Sequence, residues 1–319
     1  MCGRIFIRTM VLALAAALLG ALLGAGASPA LAADSGRCDR PCLKGLMDQY
    51  LAALAAHDPA RLPTAAHVKF TENTNRMALG DGLWRTIDGL GAFKLEIEDP
   101  ASSQVAFYGT VKENGLTQLL SVRLKERDRR ITEIETYVVR QQTGIHGTFD
   151  ALVRADPLWD EPVPPAERSS RAALIHAANQ YFEGIVHGNG DIVPFANDCV
   201  RIENGAQTAP TPARAGRPAM STQAQFNTKM FDYIHEIDHR RFLLVDPERG
   251  IVYVTATFEH PGDIDTPLRR TPSGALNPQS LGSYPNTTGI IETFKIRGGR
   301  IHHIFAYVTL LPYRQQPGW

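Results

Sequence analysis

Residues 195–205 read Phe195-Ala196-Asn197-Asp198-Cys199-Val200-Arg201-Ile202-Glu203-Asn204-Gly205, and 131 positions before its Cys199–Asn204 stretch stands Val68-Lys69-Phe70-Thr71-Glu72-Asn73. Both passages carry Glu-Asn after a run suited to a strand. The same offset, without a gap, lays residues 43–75 on 174–206 and brings together Leu43/Leu174, Gln49/Gln180, Tyr50/Tyr181 and Pro63/Pro194. A second block follows at offset 147, with Asp99-Pro100 on Asp246-Pro247 and alternating apolar runs ending at Gly115 and Gly262. A third, at offset 170, lays Arg130-Ile131-x-x-Ile134-x-x-Tyr137-Val138 on Arg300-Ile301-x-x-Ile304-x-x-Tyr307-Val308. Three blocks in one order identify an internal duplication. The growing offsets place two insertions in the second copy, near 205–225 and 262–288.

Each copy begins with an amphipathic helix. Leu43, Leu46, Met47, Tyr50, Leu51 and Leu54, then Leu174, Ala177, Ala178, Tyr181, Phe182 and Ile185, fall at the i, i+3, i+4 spacing of a buried stripe. A short second helix is expected near Pro59–Ala66 and Asp191–Asn197, followed by the strand that ends in Glu-Asn and a further helix. Three or four strands with period-two alternation come next. Val252, Val254, Ala256 and Phe258 should face one way, and Tyr253, Thr255, Thr257 and Glu259 the other. Gly298-Gly299 reads as a hairpin turn between the last two strands. The Pro-rich, charged stretch 141–170 has linker composition, with Trp159 tucked against a neighbour. The expected fold is α+β, with domains at 33–140 and 171–319.

The chain of 319 residues carries 33 basic and 33 acidic side chains. That balance argues against a dedicated nucleic-acid partner, which needs clustered Lys and Arg. Arg4 and Arg8, the apolar run Met10–Leu23 and the small-residue site Ala30-Leu31-Ala32 have the anatomy of a secretory signal peptide over residues 1–32. The expected mature protein starts near Ala33, is periplasmic or secreted, and has no membrane contact after cleavage. Its 31 basic and 33 acidic residues leave a charge of −2. Cys38, Cys42 and Cys199 remain as disulfide candidates in an oxidising compartment. A bond from Cys38 or Cys42 to Cys199 would close a long loop, so one disulfide involving Cys199 is expected.

The order of helices and antiparallel strands resembles the SnoaL-like, nuclear-transport-factor-2-like superfamily in both halves. The passages that carry the resemblance are Phe195–Gly205, Val68–Asn73 and Gly80-Asp81-Gly82-Leu83-Trp84. Thr71-Glu72-Asn73, Arg168-Ser169-Ser170-Arg171-Ala172 and Ile237-Asp238-His239 also resemble an uncharacterised family of secreted tandem proteins. The resemblance implies two cones, each with N-terminal helices packed on a curved antiparallel sheet, and either a homodimer or an intramolecular pairing of the two domains. The superfamily hosts isomerases, hydratases, dehydratases, cyclases and plain binders, so fold alone does not assign function.

Several residue sets could carry chemistry. Glu203-Asn204 lies where such a strand delivers an acid or amide into the cone, although Glu72-Asn73 at the same place is equally compatible with a turn or bulge satisfied by backbone. Glu259-His260 replaces Lys112-Glu113, and His302-His303 replaces Thr132-Glu133. Alternation puts His303, Phe305 and Tyr307 on one face, where a His and a Tyr inside an apolar cone could act as acid or base and as oxyanion donor. Equally, the His pair could be solvated beside a hairpin and Tyr307, matched by Tyr137, could pack. His235-Glu236-Ile237-Asp238-His239 matches the H-E-x-x-H pattern of zinc peptidases. That pattern needs a continuous helix, however, and Arg240–Val245 runs into a strand. Arg123, Lys125, Arg127, Arg129 and Arg130 surround a hairpin, where charge protects an exposed edge.

The expected assignment is Glu203, His303 and Tyr307 as catalytic residues, with Asn204, His239, Glu259 and His260 binding substrate, and no cofactor or metal. The leading function is cofactor-independent acid–base chemistry, of a lyase, hydratase or isomerase type, on a small and largely apolar organic ligand. Non-catalytic ligand binding or dimerisation is the rival, and a zinc hydrolase the minor alternative.

Overall fold

The computed structural model describes residues 38–141, 149–213, 218–263 and 278–319. The expected signal peptide, the start of the linker and parts of both insertions lie outside the described residues. Arg37–Trp319 forms one compact unit, and no described helix is long and apolar enough to cross a membrane.

The first copy runs α1 (Arg40–Ala55), β1 (Thr64–Glu72), β2 (Asn75–Arg76), α2 (Leu83–Thr86), β3 (Ile87–Asp99), β4 (Gln104–Glu113), β5 (Leu116–Arg127) and β6 (Arg130–Val139). The second repeats it as α3 (Arg171–Val186), β7 (Phe195–Glu203), β8 (Ala206–Ala209), α4 (Thr222–Asn227), β9 (Glu236–Asp246), β10 (Ile251–His260), β11 (Asn286–Arg297) and β12 (Arg300–Leu311). Each copy builds one six-stranded sheet, in the orders β2-β1-β6-β5-β4-β3 and β8-β7-β12-β11-β10-β9. In both, the first long strand pairs in parallel with the last, and the other pairs are antiparallel. Identical strand order in two stretches of one chain is what a duplication produces.

The expected short second helix is instead a single 3₁₀ turn in each copy, Pro59–Arg61 and Gly190–Ile192. Pro63 and Pro194 end it, because proline pushes the preceding residue to extended backbone and supplies no N–H. The helix after each Glu-Asn pair is also shorter than a typical helix, at 4 and 6 residues.

Strand alternation sorts side chains onto two faces. On one face of the second sheet, Val252, Val254, Phe258, Ile290 and Phe294 share a buried core with Leu174, Tyr181 and Phe182 of α3. On the opposite face, Tyr253, Ile291, Phe305 and Tyr307 join Phe93, Tyr108, Leu119 and Tyr137 of the first sheet in a third core between the copies. Trp159 from the linker closes it, 5.2 Å from the His303 ring and 6.4 Å from Phe305.

Two bidentate ion pairs cross between the copies in a symmetric manner. Arg40 donates to both carboxylate oxygens of Asp246, at 2.9 and 2.7 Å. Its counterpart Arg171 donates to both oxygens of Asp99, also at 2.9 and 2.7 Å. Arg40/Arg171 and Asp99/Asp246 are repeat-equivalent, so the contact is the same one made twice.

Candidate functional site

The disulfide joins Cys38 to Cys42, with Cα atoms 5.2 Å apart, and Cys199 is a free, buried thiol. The expectation that Cys199 takes part is therefore corrected. Cys38 and Cys42 lie at the start of α1, where Asp39 caps the helix through the Cys42 N–H, and one helical turn brings their Cα atoms within bridging distance. Cys199 sits in the second core, where burial pushes its thiol up to about 12.

The Glu-Asn pairs have split in role. Asn73 and Asn204 adopt the left-handed conformation, at φ 46° and 47°. Each side chain forms a two-point bracket on the last strand of its sheet. Asn73 donates to the Val138 carbonyl at 3.0 Å and accepts from the Val138 N–H at 2.8 Å. Asn204 does the same to Val308, at 2.9 and 2.8 Å. The backbone-satisfied alternative thus describes both asparagines. Glu72 caps α2 by accepting from Leu83 N–H at 2.8 Å, and Gly82 is required there because a Cβ would lie 2.3 Å from the Glu72 carboxylate. Glu203 is different: it faces a cavity.

That cavity, of about 370 Å³, lies in the second copy and is mostly apolar. Its walls come from α3, the inner faces of β7, β10, β11 and β12, and both insertions. Thr211, Pro212, Pro218 and Met220 come from the first insertion, and Leu281 from the second. The volume sits at the small end of organic-ligand sites, about 300–1,000 Å³.

Four polar side chains define its chemistry. Arg201 donates from Nε to Thr208 Oγ1 at 2.9 Å and from Nη2 to Gln225 Oε1 at 2.6 Å, and its Nε lies 3.3 Å from a Glu203 oxygen. Arg201 Nη1 is buried with no hydrogen-bond partner. Glu292, on β11, is 2% exposed, and its Oε2 is likewise buried without a partner. Burial lifts the Glu292 carboxyl to about 8, with the Glu203 charge adding to the lift and Arg201 and Tyr181 opposing it. Burial also works against the charge on Arg201, but Glu203, Tyr181 and Glu292 outweigh it and keep the guanidinium protonated. His260 holds the wall: its ring nitrogens meet the Tyr233 carbonyl at 3.1 Å and Thr288 Oγ1 at 3.0 Å. Burial lowers its pKa to about 4, so the ring is neutral.

Of the residues expected from sequence, Glu203 and His260 line this cavity. His303 and Tyr307 do share a face, as alternation requires, but it is the face between the sheets. Tyr307 donates to the Gly109 carbonyl of the first copy at 3.1 Å and packs edge-on against Tyr108. His303 lies against Trp159. Glu259 also points away from the cavity and accepts from Thr287 Oγ1 at 2.6 Å. His239 is exposed at a strand irregularity with φ 51° and meets Thr257 Oγ1 at 3.0 Å. The His235–His239 segment lies at the entry to β9, not on a helix, so the i, i+4 geometry of a helical zinc site is not formed. Among the described residues no group of three or more His, Cys, Asp or Glu is placed to hold a metal ion.

Sequence reasoning missed Glu292 and Arg201. The signal was in the repeat: offset 170 lays Glu292 on Val122, and offset 131 lays Arg201 on Phe70. Both counterparts belong to the apolar core of the first copy. A carboxyl and a guanidinium on inward strand positions, where the other copy has core residues, single out candidates for a site.

Residues 167–308, the second copy, match the model of a family described as a domain of unknown function (DUF8021). No curated protein matches the chain. Solved structures similar to one half of it include AclR, a candidate hydroxylase from Streptomyces galilaeus, at 9% identity and TM-score 0.29, covering 45% of this chain and 83% of that one. IdmH, a candidate polyketide cyclase from Streptomyces antibioticus, is similar at 11% identity and TM-score 0.27, covering 42% and 91%. AusH from Aspergillus nidulans is similar at 14% identity and TM-score 0.26, covering 44% and 85%.

Proposed function

We propose that the second copy performs cofactor-independent acid–base chemistry on a small, largely apolar organic molecule, with Glu292 as the group that moves the proton. The observation that carries this reading is the partnerless Glu292 Oε2 buried at the wall of an apolar cavity that Arg201 also lines. A carboxyl group lifted to about 8 can give up or take back a proton near neutral pH, which suits general acid–base work. Arg201, with a free N–H, supplies a fixed positive charge for an oxygen that becomes negative as the proton moves. Glu203 balances Arg201 and, in this reading, is a supporting residue. We also place the protein outside the cytoplasm, a reading supported by the apolar N-terminal run and the Cys38–Cys42 disulfide.

The test is exchange of carbon-bound hydrogen for solvent deuterium, followed by NMR across a panel of small apolar carbon acids. The expected result is exchange by the native protein that Glu292→Gln reduces by about 10²–10⁴-fold without loss of fold. Glu203→Gln should leave measurable exchange. Ligands that bind tightly yet never exchange would favour the rival reading, a non-catalytic binder.

A further inference from the structure

A second place in the molecule, away from the cavity, is built from both copies. Residues 312–319 follow β12 and run against the first sheet on the face opposite its core. There the Trp319 ring lies among three cations. Lys69 Nζ of β1 is 4.1 Å from its centroid, and the guanidinium carbons of Arg123 on β5 and Arg241 on β9 are at 4.7 and 5.3 Å. Gly318 brings the backbone onto the turn after β1, where a Cβ would lie 2.3 Å from the Thr74 carbonyl oxygen.

The ring fits this socket, but its polar surroundings are left unanswered. Among the described residues no hydrogen bond joins residues 312–319 to the first copy. Trp319 Nε1, Arg123 Nη2 and the hydroxyls of Thr71 and Thr74, beside Gly318, are all buried without a partner, an arrangement that costs free energy for each group. Charge is unbalanced as well. Glu135 pairs with Arg123 and Arg241, and Glu133 with Arg123 and Lys125. Lys69 Nζ makes no hydrogen bond or ion pair among the described residues. Burial, with Arg76 and Arg241 nearby, lowers the Lys69 pKa against the pull of Glu133 and Glu135. An indole offers these cations the face of a ring and nothing more, because it carries no acceptor atom and no negative charge.

We propose that this socket is a binding site for an aromatic carboxylate, and that Trp319 is the latch that holds it closed. When residues 312–319 swing away, the ligand's ring takes the place of the indole and its carboxylate meets Lys69 Nζ and Arg123 Nη2. The latch competes with the ligand, so the native chain binds more weakly by the fraction of molecules in which the socket is open. The site stands apart from the second-copy cavity and does not depend on the proton-transfer reading.

Indole-3-propionate, which joins the Trp319 ring to a carboxylate, and its neutral counterpart indole-3-propionamide test this by calorimetric titration of the full chain at pH 7. Trp319→Ala should bind the acid about tenfold more tightly than the native chain does, and about tenfold more tightly than it binds the amide. Gly318→Val, which sets a side chain against the Thr74 carbonyl, should unseat the latch and raise binding in the same direction with Trp319 intact. Adding Lys69→Met to Trp319→Ala should abolish the preference for the acid. Equal binding by the native chain and both unlatched variants, absence of binding, or equal binding of acid and amide overturns the proposal. So does a preference for the acid that Lys69→Met leaves unchanged, since the ligand would then sit elsewhere.

Discussion

At the scale of single residues, Glu292 couples the site to the stability of the fold. Its carboxyl is raised from 4.5 to about 8 in the folded chain, chiefly by burial. Between those values the folded chain holds a proton that the unfolded chain has released, so this residue's contribution is full at low pH and is lost as pH rises through 8. Glu292→Gln should therefore match the native protein near pH 4 and exceed its stability at pH 9 by on the order of a few kcal/mol. Urea denaturation of both proteins at pH 4, 6.5 and 9 measures the difference, and a gap that does not grow with pH would contradict the assignment. A residue that costs stability near neutral pH and leaves one buried carboxylate oxygen without a hydrogen bond is one whose presence the fold itself does not explain.

At the scale of elements, the asparagine brackets pin the end of the first strand in each sheet to the last strand. Each makes two side-chain hydrogen bonds and a backbone bond, Asn73 N–H to the Thr136 carbonyl and Asn204 N–H to the Ala306 carbonyl, both at 2.9 Å. Asn73→Ala and Asn204→Ala should each destabilise by about 1–3 kcal/mol, read by chemical denaturation, and to a similar degree, since the geometry is the same. A loss confined to Asn204→Ala, or none, would contradict a shared structural role. Much of this level was legible in the sequence. Period-two alternation from Val252 to Glu259 assigned the two faces of β10, and Arg130–Val138 against Arg300–Val308 revealed the repeat. What pattern could not supply was which face of β12 meets a cavity and which meets the other copy. His303 and Tyr307 look equally suited to either, because an aromatic ring with one polar atom serves a packed interface as well as a pocket. Glu292 was hidden for the opposite reason. A carboxyl on an inward position is read from one strand as an outward residue or a flaw, until its counterpart Val122 shows that the position belongs inside.

At the scale of the whole molecule, the two copies are held by a shared apolar face and by one ion pair made twice. Burial alone would raise Asp99 and Asp246, but Arg171 on the one and Arg40 and Arg249 on the other, with further hydrogen bonds, hold both carboxyls below their ordinary 3.8. Such groups stabilise above that value, and the contribution is lost as pH falls through the folded pKa. Arg40→Met and Arg171→Met should each cost about 1–3 kcal/mol at pH 7, less than a fully buried pair because both arginines are partly exposed. The cost should begin to fade below about pH 4, where the unfolded chain's aspartates take up protons, and go as pH falls through the lower folded pKa. Thermal unfolding at pH 7 and pH 3 checks both statements, and a cost for only one of the two variants would break the symmetry argued here. Joining the halves in one chain also has a historical consequence. Two separate, identical subunits would carry every substitution twice, so an arginine and a glutamate could enter one core only by entering both. A single gene encoding both halves frees them to inherit different changes. One half could keep Phe70 and Val122 as ballast for folding, while its twin acquired Arg201 and Glu292 and became free to diverge towards a trade of its own.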